Sequence, residues 1–594
     1  MTRRIGFAAG LLFALGLAAG ARPANGDGAE KPVPVAVRIV QLAAGDPVEA
    51  EAIEHALAAV GVPYERMVGP ESAFEGPLVV LAGSLTEGAL APADRERLHR
   101  YVEQGGVLLV TQVQSVRYFP LFGLTEFSNR RNNFEVRFAD PGSDPALGYV
   151  NRPQERQIKL GDPKLYQEIY STTEYQLDHA QPLAQFASGG VAFSRNHYGR
   201  GVAYCLGLSF TDAVLRPALG QSYEAEREWA NVFAPSADVF RLILAAIYES
   251  RVRPFVRVHP VPGGLESALL LSHDVDAREA FRYSVDFARL ERDFGVASTF
   301  FITTKYFTDA TDIGYYSGKN IEYVREIRRL GADIGSHSVS HYKHFADLPF
   351  GEPDVDFARY RPKEAATVIG EVKVSKELLE RDVPGLEVVS FRAGELSHPR
   401  QLVRALQVTG YLINSTRAAG NTQTNYAYRP LSETHLGAEV ADMVEIPVTL
   451  DDSMDYLRPD NVDEVVAAWR EIVDANAENH ALTGLLIHPT DATYKLEAQR
   501  RLLEAYRGKP VWIGDVTRFG RFVRGRLKLR LRAVDRGGRL VLRLNLPRSE
   551  LPAGVALVTS ATPAALTIED SQGNAVGFRP LMGENGVRRL VLEP

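Results

Sequence analysis

The sequence predicts an α/β protein of three folded units: an open parallel sheet flanked by helices, a (β/α) barrel, and a small β-sandwich. Three observations carry this. Short apolar runs alternate with helical runs across 34–250 and again across 265–524. The stretch between them, 251–264, reads RVRPFVRVHPVPGG, and its prolines and glycines mark a junction. From 525 to 594 the text turns to short runs of period-2 alternation, as in a sandwich. At 594 residues the chain is too long for one core, so several domains are expected.

The N-terminal text reads as a targeting segment. Arg3 and Arg4 precede an apolar run, 5–18, and Ala19-Gly20-Ala21 has the small-x-small form of a cleavage site. A signal peptide over 1–21 and a linker over 22–33 are expected, with export to a periplasmic or extracellular location. The formal net charge of −7 is spread without a basic block, which argues against a nucleic-acid partner. A single cysteine, Cys205, sits in the apolar run VAYCLGL. It can form no intramolecular disulfide and reads as a buried small hydrophobe.

From Pro34 the elements follow in order. VAVRIVQL is a strand, and DPVEAEAIEHALAAVG a helix that Asp46 can cap and Gly61 can end. PLVVLAG, PADRERLHRYVEQGG and GVLLVTQV continue the β-α-β rhythm. GGVAFSRNHYGRGVAYCLGLSF reads as a strand pair turning at Tyr198-Gly199-Arg200-Gly201. Helices over 223–233 and 237–250 close the unit, with Pro235 between them. The pattern resembles the flavodoxin-like layer of glutamine-amidotransferase-like domains. No cysteine stands at the turn after VLLVTQV, so the resemblance implies a scaffold or recognition domain without a nucleophile. No GxGxxG follows the first strand, so dinucleotide binding is not supported.

Strand candidates in the barrel are 268–273, 298–303, 332–336, 388–392, 412–415, 444–448, 484–488 and 511–514. Helical text over 321–330, 362–381 and 462–476 separates several of them. Asp274, His337, Arg392 and His488 all fall at C-terminal strand ends, the face that carries the chemistry in such barrels. Asp274 and Asp276 close the first strand. His337 and His341, at i and i+4, can face one ion if the segment turns helically. A carboxylate and two histidines that leave positions open make a catalytic rather than a structural metal site.

In the last unit LKLRLRAV, RLVLRLNL, VALVTS, ALTIED and VRRLVLEP alternate, with a turn at Asp535-Arg536-Gly537-Gly538. No aromatic platform is legible there; Phe578 stands alone.

The motifs HDVD, GSHSVSH, FRAGE and LLIHP, in this order, resemble the polysaccharide deacetylases of carbohydrate esterase family 4, the NodB-homology domain, in the branch written DVD. The resemblance covers about 265–520. It implies a distorted (β/α) barrel and a metal-dependent N-deacetylase. It makes Asp274 the base, Asp276, His337 and His341 the metal ligands, Arg392 the partner of Asp274, and His488 the general acid. An Asp-His-His set suits Zn²⁺, and imidazole also accepts Co²⁺ or Ni²⁺.

Two departures from the family pattern stand out. The third motif runs on as Arg392-Ala393-Gly394-Glu395-Leu396-Ser397-His398, without the usual prolines and aromatic. Asn414 stands where an aspartate often steadies the catalytic residues; Asp451, Asp452 or Asp455 are candidates to replace it. His344, His398 and Asp491 are candidates to line a groove. The expected function is removal of N-acetyl groups from a hexosamine-containing envelope or extracellular polysaccharide, in company with envelope polysaccharide-export or synthesis proteins. A catalytically weak polysaccharide-binding protein and a small cyclic-amide hydrolase are the alternatives.

Overall fold

The computed structural model describes residues 30–42, 47–67, 69–70, 73–221, 223, 228–309, 313–453, 455–490, 493–581 and 587–593. The expected signal peptide, 1–21, lies outside them. No helix among the described residues is long and apolar enough to cross a membrane.

The N-terminal unit is built on an eleven-stranded sheet. Tyr64–Met67, Val37–Gln41, Val79–Ala82, Val107–Thr111 and Gly201–Leu206 run parallel, in that order. The sheet then turns antiparallel through Val191–Tyr198, Gln181–Phe186, Glu135–Phe138 and Gln157–Lys159. The hairpin at 198–201 forms as the sequence indicates, with Tyr198 opposite Gly201. Tyr64–Met67, whose charged YERM text hides its β character, is an edge strand the sequence reading missed. Cys205 lies fully buried in its strand. Burial pushes its thiol up to about 12, which disfavours the thiolate.

The central unit is a nine-stranded sheet of parallel strands. Ser267–Val275 is its axis and is buried along its whole length. One side pairs with Leu482–Ile487; the other is shared by Val511–Asp515 at its start and Thr299–Ile302 at its end. Asp333–Ser336, Ser390–Phe391, Ile413–Asn414 and Val444–Glu445 continue the order on one flank, and Leu450–Asp451 follows Leu482–Ile487 on the other. Among the described residues no ladder joins Val444–Glu445 to Leu450–Asp451, so the expected barrel is an open half-barrel. Beyond Asp333–Ser336 on one flank and Leu482–Ile487 on the other, the strands are two residues long, too short to carry pairing around the ring.

A segment expected to be helical covers this open edge. Among the described residues of 223–233 no helix forms. The Asn231 amide nitrogen donates to the Thr449 carbonyl at 2.7 Å. Its side chain accepts from the Asp451 N–H at 3.0 Å and donates to the Asp451 carbonyl at 2.8 Å. Asn231 thus satisfies backbone groups that a closing strand would have taken. Its positive φ of 58° is incompatible with a continued helix.

The C-terminal unit consists of two four-stranded sheets sharing one apolar core that includes Val256, Leu542, Leu557 and Leu590. Each sheet borrows a strand. Lys31–Val33, expected to be linker, pairs with Leu531–Arg536, and Val256–Val258, in the expected 251–264 junction, pairs with Ala556–Thr559. Those segments are too short to declare themselves as strands until an edge is offered to them.

Candidate active site

The site gathers at the C-terminal ends of the half-barrel strands. Asp274 is buried, and its Oδ1 accepts from Arg392 Nη1 at 2.9 Å. Arg392 is itself buried. It also donates to the Ser415 carbonyl and hydroxyl and lies over the Phe301 ring at 4.4 Å. The guanidinium is therefore fixed in one orientation, which a lysine could not reproduce. Burial pushes the Asp274 carboxyl up, but Arg392, His337 and His488 outweigh it and hold the group below the ordinary carboxylate range.

Asp276, His337 and His341 present ligand atoms that all lie within 4.8 Å of one another. His341 Nε2 and Asp276 Oδ2 are 3.7 Å apart. His337 Nδ1 lies 2.9 Å from the Arg392 carbonyl oxygen. Donation there leaves Nε2 as the free ligand atom, the orientation that metal-binding histidines receive from their outer partners. Burial pushes the His337 imidazole down to about 4 despite Asp274, so it is neutral and able to ligate at ordinary pH.

The two histidines converge without a helix. Ser338 and His341 both take positive φ, 68° and 50°, and the intervening loop is pinned from below. Glu371 Oε2 accepts from the Val339 and Ser340 N–H groups at 3.1 and 2.8 Å. The ring of His341 packs on Gly394, where an added Cβ would stand 2.6 Å from His341 Cδ2. A side chain at this glycine of the FRAGE motif would displace the His341 ring.

His488 faces the same space, its Nε2 3.9 Å from Asp276 Oδ2. Its Nδ1 sits 2.7 Å from Asp452 Oδ1, and Asp452 also accepts the His488 N–H and an ion pair from Lys495 at 2.7 Å. Burial opposes charge on His488, but the bond to Asp452, that carboxylate's charge, and those of Asp276 and Asp274 push it up to about 10. Asp451, Asp452 and His488 also lie within ligand distance of one another. There Lys495 and His488 already occupy the Asp452 oxygens.

Asn414 lies elsewhere. It donates to Glu445 Oε2 at 2.7 Å and accepts from Thr416 Oγ1 at 2.6 Å, which ties down the loop beyond Ser415. Of the three candidate replacements, Asp452 reaches His488. Asp451 caps the turn through the Ser453 N–H, and Asp455 is exposed. His344 is exposed beside Asp347, and His398 is turned to the Pro399 carbonyl; Asp491 lies outside the described residues. His273 of the HDVD motif is structural, held between Glu291 and the Ile487 carbonyl and stacked on Phe300. Glu371 was missed because its role depends on a fold that brings it beneath a loop thirty residues upstream (Val339 and Ser340, 32 and 31 residues away).

No protein-family model matches the chain, and no curated protein does. Among solved structures it is similar to Agd3, described as a novel carbohydrate deacetylase, at 11% identity with a TM-score of 0.45, over 94% of this chain and 97% of that one. It is also similar to a family 4 carbohydrate esterase from Streptomyces lividans in complex with acetate, at 15% identity and a TM-score of 0.26, covering 42% of this chain and 93% of the other. BA3943 of Bacillus anthracis, a CE4 family pseudoenzyme, matches at 15% identity and a TM-score of 0.27 over 44% and 66%. Likenesses this distant leave the chemistry to be read from the site's own geometry.

Proposed function

We propose that this protein is a metal-dependent hydrolase that removes acetyl groups from the amino sugars of an N-acetylated polysaccharide. The observation that carries this is one cluster with three separate parts: a ligand trio (Asp276, His337, His341), a buried carboxylate paired with Arg392 (Asp274) and an imidazole joined to Asp452 (His488). The donor set suits a divalent ion, with Zn²⁺ first and Co²⁺ or Ni²⁺ as substitutes. When bound, such an ion supplies Lewis acidity at the reacting carbonyl.

The chain's own groups supply the rest. Asp274, held ionised by Arg392, takes a proton from the attacking water as its oxygen bonds to the amide carbon. Arg392 keeps that carboxylate in one position. His488, charged through Asp452, gives its proton to the nitrogen as the C–N bond breaks, so that acetate and a free amine leave. Proton transfer by a positioned side chain contributes about 10²–10⁴-fold.

The N-terminal text, Arg3 and Arg4 before an apolar run, supports a substrate outside the cytoplasm, with envelope polysaccharide synthesis or export proteins as candidate partners. Acetate measured on incubation with a panel of N-acetylated oligosaccharides tests the proposal. Release that Asp274→Asn abolishes is expected. Oligosaccharide binding with no acetate from any member would instead favour a binding protein.

A further inference from the structure

A cavity lies along the chain that follows Thr299–Ile302, the strand paired with the one that ends at Val275. The chain leaving Thr299–Ile302 is anchored at the site by the Thr303 N–H on the Val275 carbonyl and the Thr304 N–H on the Ser338 carbonyl, both at 3.1 Å. It then presents Tyr306 and Phe307 to a cavity of about 380 Å³ whose other wall comes from 357–364. The volume falls within the range of small-ligand sites. Tyr306 meets Phe307 and Phe357 edge to face, with ring centroids 5.4 and 4.9 Å apart. Phe357 is 38% exposed, and the Tyr306 hydroxyl is buried without a hydrogen-bond partner. Arg361, Lys363 and Glu364 form a charged rim.

The cavity is mechanically continuous with the proposed site. Tyr360 in its wall donates to Glu371 Oε1 at 2.7 Å, and the other oxygen of Glu371 holds the Val339–Ser340 backbone between the two histidines. Partly exposed aromatic rings ringed by polar groups suit one ligand chemistry well. A pyranose carries a face of polarised C–H bonds that rests on the electron-rich face of an aromatic ring, while its hydroxyls turn to a polar rim. A polymer whose internal amino sugar reacts at Asp274 also continues beyond it.

We infer that the Tyr306–Phe307–Phe357 cavity is a subsite for a neighbouring sugar of the polysaccharide, setting a preference for chains over single residues. The inference rests on the deacetylase reading for the identity of the ligand.

Direct binding tests it without turnover. Full-length Asp274→Asn protein is titrated with N-acetylglucosamine and N-acetylgalactosamine oligomers of increasing length. Affinity is expected to rise with length. Phe307→Ala and Phe357→Ala each remove about tenfold of the gain at the longer lengths, and Phe357→Trp restores it. Thermal melting of the variants, unchanged from the parent, separates this loss from misfolding. Affinity independent of length, or alanine variants that follow the parent at every length, would overturn the subsite. Length-dependent binding with no acetate from the unsubstituted protein would leave the subsite standing and remove the catalytic reading instead.

Discussion

His488 and Asp452 are joined at 2.7 Å, Nδ1 to Oδ1, and the same carboxylate receives the His488 backbone N–H and Lys495. One buried acid therefore sets the tautomer, the orientation and the charge of the imidazole. Asp452→Asn is expected to keep the shape and lose the charge. The His488 value, pushed up to about 10 in the intact site, falls, and the alkaline limb of the pH–rate profile moves to lower pH. A decrease in kcat of about 10²-fold or more is expected at neutral pH. A pH–rate profile of the variant that overlays the parent's would contradict the role.

The pair of Asp274 and Arg392 makes a statement about stability. Asp274 is held below the ordinary carboxylate range, so its contribution is fully present above the unfolded value, about 3.9, and is lost as pH falls through the folded one. Arg392→Met leaves a buried carboxylate without its cation. A loss of about 3–5 kcal/mol is expected near neutral pH, shrinking toward acid pH as Asp274 takes up a proton. Chemical denaturation of both proteins across pH checks the sign. A variant whose deficit grew toward acid pH would go against it.

Gly394→Ala probes the packing behind the proposed metal ligands. The added carbon meets the His341 ring 2.6 Å away, so the ring must swing from its position opposite Asp276. Zn²⁺ affinity measured by competition titration is expected to weaken by about 10–100-fold, the cost of disturbing ligand support. The fold should persist, since the clash is with a partly exposed side chain. Unaltered affinity would mean that His341 is not a ligand in this pose.

Asn414→Asp introduces the aspartate that the resemblance implies at this position, yet no gain is expected. The amide donates to Glu445, a buried acid that burial already pushes up to about 7 against the pull of Arg417. A second carboxylate there forces two buried acids together, and lower thermal stability with no rise in kcat is the expected outcome. Increased kcat would show that Asp452 does not supply the charge.

Much of the candidate site was legible in the sequence because its residues sit at strand ends, where an apolar run stops on a charged or imidazole side chain. Asp274 after LLLSH and His488 after LLI are of this kind. The division of labour between Asp274 and Asp276 came from family resemblance, since spacing alone treats two acids alike. Glu371, Gly394 and the choice of Asp452 over Asp451 and Asp455 needed coordinates, because each acts across 31 to 53 residues of chain. The open barrel edge was hidden for a related reason: Asn231 closes it from 220 residues away in sequence, and a helix-like text gives no sign of a side chain bonding to a foreign strand.

The proposed chemistry is tested most directly by metal-dependent acetate release. Full-length protein stripped with a chelator and reloaded with Zn²⁺ is incubated with N-acetylated oligosaccharides. One ion bound per chain and recovery of acetate release in proportion to occupancy are expected, with His337→Ala binding no ion and releasing none. Acetate release at full rate from stripped protein, or from His337→Ala, would contradict the proposed centre.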